Sequence, residues 1–140
     1  MTATPLDSPV LTDDLLVRCH ERAARYDREH AFFTEDLEEL RGAGYLLLPL
    51  PTAFGGRGLT LAEVAHEQRR LAYFAPPTAH ALTSHLSWVG VASELWHGGD
   101  RSLAWVLEEA AAGHVFAVGY AESGNDILAL ASATRADRVD

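Results

Sequence analysis

The densest run of side chains able to do chemistry is Tyr120 to Asp126. It sets a phenol, a carboxylate (Glu122), a hydroxyl (Ser123), an amide (Asn125) and a second carboxylate (Asp126) within one short stretch. Ser123, Gly124, Asn125 and Asp126 are turn formers, so these groups are expected at a strand end, where donors and acceptors can converge on a ligand. The seven histidines invite a metal or acid–base reading. His80 and His85 lie five apart, which separates them around a helix, and His66 and His97 fall in other segments. No His-Glu-x-x-His or Cys-x-x-Cys spacing occurs, so no metal site is expected. Ser84 and Ser87 have no His and Asp partners at a known spacing, which leaves no catalytic nucleophile to assign. Gly55, Gly56 and Gly58 follow no strand and carry no Gly-Lys-Ser/Thr, so they read as a structural turn and not a phosphate loop. Trp88, Trp96 and Trp105 read as bundle packing. The acidic residues Glu35, Asp36, Glu38 and Glu39 read as a solvated helix face.

Composition narrows the partners. The chain has 140 residues, 48% hydrophobic and 22% charged, with a formal charge of −9. The eleven Lys and Arg are scattered, which argues against nucleic acid or an anionic membrane surface as a partner. The single cysteine, Cys19, excludes an internal disulfide and fits a cytoplasmic protein. No basic cluster followed by an apolar run opens the chain, and nothing reaches the roughly 18 apolar residues of a membrane span.

These groups must be positioned by elements, and the punctuation predicts a mainly α chain. Residues 1–10 read as a loose tail with two prolines. Thr12 should cap a helix with Asp13 and Asp14 in its first turn and Leu16, Cys19, Ala23 and Tyr26 along one face. Thr34 should cap a second, ended by Gly42 and Gly44. Tyr45 to Gly58 holds two prolines and three glycines and reads as a connector. Thr60 and Glu63 form a capping-box pattern, with Leu61, Val64, Ala65, Gln68, Leu71 and Ala72 on the face that follows. Pro76 and Pro77 stop that helix and suit the first turn of the next, whose stripe is Leu82, Leu86, Val89, Ser93 and Trp96. Asp100 should cap a fifth helix, ended by Gly113. His114 to Ala121 is short, β-rich and bounded by turn residues, so it is predicted as a strand, with Ala131 to Val139 as a second. The expected architecture is a helical bundle of about five helices over 11–113, then the first strands of an incomplete β-barrel domain over 114–140.

The order of these signals resembles a known family. LRGAGYLLLPLPTAFGGRGLTLAEVAHEQRRLA and WHGGDRSLAWVLEEAAAGHVFAVGYAESGND look like successive parts of the amino-terminal region of acyl-CoA dehydrogenases. That resemblance implies an FAD-dependent oxidoreductase that oxidises the Cα–Cβ bond of an acyl thioester, a carboxylate taking the α-proton and the flavin the hydride. It implies cofactor contacts at Tyr120, Ala121, Glu122, Ser123 and Asn125, where the family usually carries Thr-Glu-Pro and then Gly-Ser-Asp. Ala121 stands where the family places a hydroxyl, Asn125 where it places a serine, and the loop is shorter. His85 is the expected substrate-side residue, because the family uses this helix to wall its acyl pocket. No catalytic residue is assigned, since the family's base comes from a later helical domain. A homo-oligomer is implied for the intact enzyme, and little activity is expected of this part alone. Two alternatives share these features: a member that hydroxylates substrates with reduced flavin, and a helical interaction module without chemistry.

Overall fold

The structure is a computed structural model and describes residues 9–118 together with 135 and 137. Five helices occupy the described region: α1 (Asp13–Glu29), α2 (Thr34–Gly42), α3 (Leu61–Phe74), α4 (Pro76–His97) and α5 (Ala104–Ala111). The mainly α architecture is therefore as the sequence predicts. Between α2 and α3 the connector makes two short 3-10 turns, Tyr45–Leu47 and Thr52–Phe54. His114 to Val118, the described part of the predicted first strand, belongs to no helix or strand. The rest of that strand lies outside the described residues, as does most of the second.

The helix ends follow local chemistry. The Thr12 side chain accepts from the Leu15 amide at 3.3 Å, satisfying one of the amides left free at a helix start. The Thr60–Glu63 capping box is complete: the Glu63 carboxylate accepts from the Thr60 amide at 2.8 Å, and the Thr60 hydroxyl accepts from the Glu63 amide at 3.4 Å. Pro76 and Pro77 fill the first turn of α4, where no intrahelical N–H is needed. Two expected caps differ. Thr34 is the first residue of α2 rather than its cap, and Phe33 precedes the helix without a side-chain bond. Asp100 instead accepts from the Ser102 amide at 2.8 Å, forming a tight turn that delays α5 to Ala104.

Two apolar clusters share α4 as their spine. One joins α1, α2, the connector, α3 and the first half of α4 through Leu11, Leu16, Cys19, Leu40, Tyr45, Leu71 and Leu82. The other joins the second half of α4 to α5 and the connector through Leu50, Val89, Ala92, Val106 and Leu107. With 22 residues α4 is long enough to serve both, at about 1.5 Å per residue. Trp96 packs edge-on against Phe54 in the second cluster, at 4.7 Å between centroids. Trp105 departs from the core expectation: it is 55% exposed and touches Phe116.

The acidic face of α2 also departs from the expected solvated surface. Asp36 is fully buried, paired with Arg22 of α1 at 2.7 Å and accepting from the Thr78 hydroxyl of α4 at 2.9 Å. Arg22 and Arg18 both reach Glu39. Glu67 on α3 is equally buried; it accepts from the Leu11 amide at 3.2 Å and pairs with Arg70. Burying a carboxylate is tolerated only when it is paired and hydrogen-bonded. Among the described residues every buried side-chain N or O has a partner.

The connector owes its path to close backbone approach. A Cβ on Gly56 would stand 2.1 Å from the Leu50 carbonyl oxygen, while Gly55 and Gly58 adopt positive φ. The turn is held by the Gly58 amide donating to Leu50 at 2.8 Å and Leu59 to Leu48 at 2.9 Å. This is the structural turn expected of the glycine cluster.

Candidate functional site

The outer face of α4 is cut by a groove of about 670 Å3. Its floor and walls come from three places. The connector supplies Pro49 and Leu59, the start of α3 supplies Leu61 and Val64, and α4 supplies Leu86, Ser87, Gly90, Val91, Glu94 and Leu95. The α4 residues recur at three- and four-residue spacing, so they share a face. Gly90 leaves that face low: a Cβ there would meet only Pro49, at 3.9 Å. The Ser93 hydroxyl fixes the connector against the helix, lying 2.7 Å from the Pro49 carbonyl and 2.8 Å from that of Val89, between which its one proton is shared.

The groove is apolar with a polar margin. Leu61 is 82% exposed and Val91 is half-exposed, so both stand at its lip. Beside the other apolar lining residues, these two extend the groove into a continuous apolar edge. Ser87, Glu94 and His97 are the polar lining groups beside the buried Ser93. Glu94 is the one carboxylate on the lining and is exposed. A site of this kind suits a flexible hydrocarbon, which needs contact area and no donors.

Behind the same helix lies His85, 1% exposed. Its Nε2 is 2.9 Å from the Leu46 carbonyl oxygen, and its Nδ1 is 3.3 Å from the Phe116 amide nitrogen. A carbonyl only accepts and an amide N–H only donates, so Nε2 carries the proton and Nδ1 is the acceptor. Burial holds this imidazole below the ordinary histidine range, opposed by the bond to Leu46 and assisted by the charge of Arg41. Both ring nitrogens are taken by main chain, and the ring is not on the groove lining. His85 thus neighbours Leu86 in the wall without facing the groove.

The other expected site residues, Tyr120, Ala121, Glu122, Ser123 and Asn125, lie outside the described residues. No group of His, Cys, Asp or Glu fit to hold a metal occurs among the described residues. Cys19 is buried, its thiol pushed up to about 11 by desolvation and then by the nearby Asp36 charge. A thiol so far from its thiolate form is no nucleophile at neutral pH. No described helix is long and apolar enough to cross a membrane.

Sequence reasoning missed the groove. Its one legible signal was Leu61, a large apolar residue in the first position after a cap. The buried carboxylates were missed as well, although Glu67 and Arg70 sit at pairing distance along a helix.

Comparison with known proteins matches residues 16–114 to the acyl-CoA dehydrogenase N-terminal domain. The chain is 35% identical over 95 residues to a protein of Bacillus subtilis (strain 168) named putative acyl-CoA dehydrogenase YdbM. The aligned stretch covers 68% of this chain and 25% of that protein, so the chain spans about a quarter of the relative's length. No solved structure matches significantly.

Proposed function

The chain belongs to the acyl-CoA dehydrogenase family, and from that premise we propose that its helices form one wall of the acyl-thioester pocket of a flavin-dependent oxidoreductase. The observation that carries this reading is the apolar groove along α4. Its walls offer Pro49, Leu59, Leu61, Leu86, Val91 and Leu95 to a hydrocarbon chain, and the missing side chain at Gly90 supplies the room. Each methylene buried there contributes about 0.8 kcal/mol.

The groove does not fit FAD itself. A dinucleotide pyrophosphate needs clustered N–H donors or cations, whereas the groove offers two serines, one histidine and a carboxylate. We therefore assign the acyl chain, and not the cofactor, to this surface. The flavin contacts that this chain would make are proposed at Tyr120, Ala121, Glu122, Ser123 and Asn125. His85 is proposed to serve the substrate indirectly, by fixing the wall behind Leu86. Glu94 is read as a rim group and not as the base, because it stands on the exposed edge of a surface with no enclosing second wall among the described residues. The base and the facing wall are proposed to come from other parts of the intact enzyme, which we expect to be a homo-oligomer.

The test uses the intact protein that carries this domain. It should purify with bound FAD, and a saturated acyl-CoA added without oxygen should bleach the flavin absorbance. Bound flavin that bleaches only with an external reductant, and then consumes oxygen with substrate, would assign the monooxygenase alternative. A colourless protein that takes up no FAD would remove the enzymatic reading and leave a helical interaction module.

A further inference from the structure

The segment that leaves α5 is held to the bundle at two points, and one of them can be titrated. At the first, Arg41 of α2 donates from its guanidinium to the Gly113 carbonyl at 2.6 Å. At the second, His85 of α4 accepts the Phe116 amide on Nδ1 while its Nε2–H donates to Leu46 of the connector. The Phe116 ring lies parallel to the imidazole, 6.0 Å between centroids and 9° between planes, and edge-on to Trp105 of α5 at 5.9 Å. One imidazole therefore joins three pieces of chain: α4, the connector and the exit segment 114–118.

We propose that His85 is a proton-operated clasp: neutral, it holds the exit segment on the bundle through the Phe116 amide, and protonated at Nδ1 it releases that segment.

The chemistry follows from the tautomer. A proton on Nδ1 removes the lone pair that the Phe116 N–H meets, so two N–H groups then face each other. Among the described residues no acceptor replaces it, and a buried cation is left beside Arg41. Arg41 is the charged group that bears on the ring from α2. From the exit segment and α5, His114 and Glu109 pair with each other at 2.5 Å on the surface. From the connector, Arg57 is turned to the Ala43 carbonyl at 3.0 Å. On α4 itself His80 is exposed, as is His97, which ends this helix and not another segment as expected, and on α3 His66 is exposed. Among the described residues none of these supplies a carboxylate to the ring to stabilise the imidazolium.

The sign is fixed by the direction of the shift. The folded His85 resists protonation relative to an ordinary histidine, near pH 6.5, so the clasp is closed at neutral pH. It opens as the pH falls below that range, and each pH unit favours the open form about tenfold until the closed form also protonates.

The experiment is amide hydrogen exchange and imidazole 15N NMR on the whole chain between roughly pH 4.5 and 7.5. At neutral pH the His85 ring should be the Nε2–H tautomer. As pH falls below about 6.5, Phe116 protection should drop, by no more than tenfold per pH unit, while the Val89 amide in α4 stays protected. H85F keeps a flat ring against Phe116 but removes both nitrogens; its Phe116 amide should exchange fast at every pH, with α4 unchanged. Phe116 protection that does not vary with pH in the wild type, or that falls only together with Val89, would overturn the clasp. So would an Nδ1–H tautomer. The wild-type titration decides the matter even if H85F does not fold, and it is independent of flavin binding.

Discussion

At the scale of single residues, the connector is governed by what cannot be there. Gly55 has open space around its Cβ position but a φ of 82°, whereas Gly56 has an ordinary φ and a backbone oxygen 2.1 Å away. These are different costs. Gly55→Ala strains one residue in the left-handed region, about 1–2 kcal/mol. Gly56→Ala pushes a methyl into the Leu50 carbonyl, which only a shift of the turn relieves, so the cost should be about 3 kcal/mol or more. Urea unfolding of the two variants should rank Gly56→Ala clearly below Gly55→Ala; equal midpoints would contradict the close approach. The glycine cluster was legible as a turn from its composition alone. Which glycine is irreplaceable was not, because that depends on Leu50 folding back over it. The burial of Asp36 was illegible for the same reason: an acidic residue in an acidic helix start reads as surface until Arg22 and Thr78 arrive from two other helices.

At the scale of elements, α1 and α2 are joined by charge as much as by apolar contact. Hydrogen bonds from Arg18 and then Arg22 bring the Glu39 carboxyl down to about 2 from its ordinary 4.5. A carboxyl lowered by folding stabilises the fold above its ordinary range, and the benefit fades as pH falls from 4.5 towards 2. Stability measured by urea unfolding should therefore fall more steeply across that window in the wild type than in Glu39→Gln. Parallel slopes would mean that Glu39 gains nothing from its arginines in solution. Helix limits were mostly legible, since Thr12, the Thr60–Glu63 pair, the two prolines and Gly44 act locally. Thr34 and Asp100 were misread as caps. Both are good capping residues in sequence, but Phe33 takes the cap position before α2 and the Asp100 side chain is committed to Ser102.

At the scale of the whole molecule, the fold serves to present one face of α4. It carries residues of both apolar clusters, and the groove lies along it with Leu86 shared between the first cluster and the lining. The family and the helical architecture could be read from the order of caps, prolines and glycines. The groove could not, because it is an absence, made by Gly90 on one helix beside a connector that Ser93 ties to that helix. His85 was legible only as a member of the right helix. Its position behind the wall follows from tertiary hydrogen bonds to Leu46 and Phe116 that leave no mark in local sequence.

The acyl chain proposed for this groove can be probed at Gly90. Gly90→Ala adds a methyl at ordinary contact distance from Pro49 and should be tolerated, with a gain of about 0.5–1 kcal/mol in stability from helix propensity. Gly90→Leu should instead fill the groove. In the intact enzyme, kcat/KM measured over a series of acyl-CoA chain lengths should fall tenfold or more for long chains in Gly90→Leu, since about 1.4 kcal/mol of lost burial suffices. Short chains and Gly90→Ala should change little. A Gly90→Leu enzyme that folds, binds FAD and keeps the wild-type chain-length profile would contradict the assignment of the acyl chain to this surface.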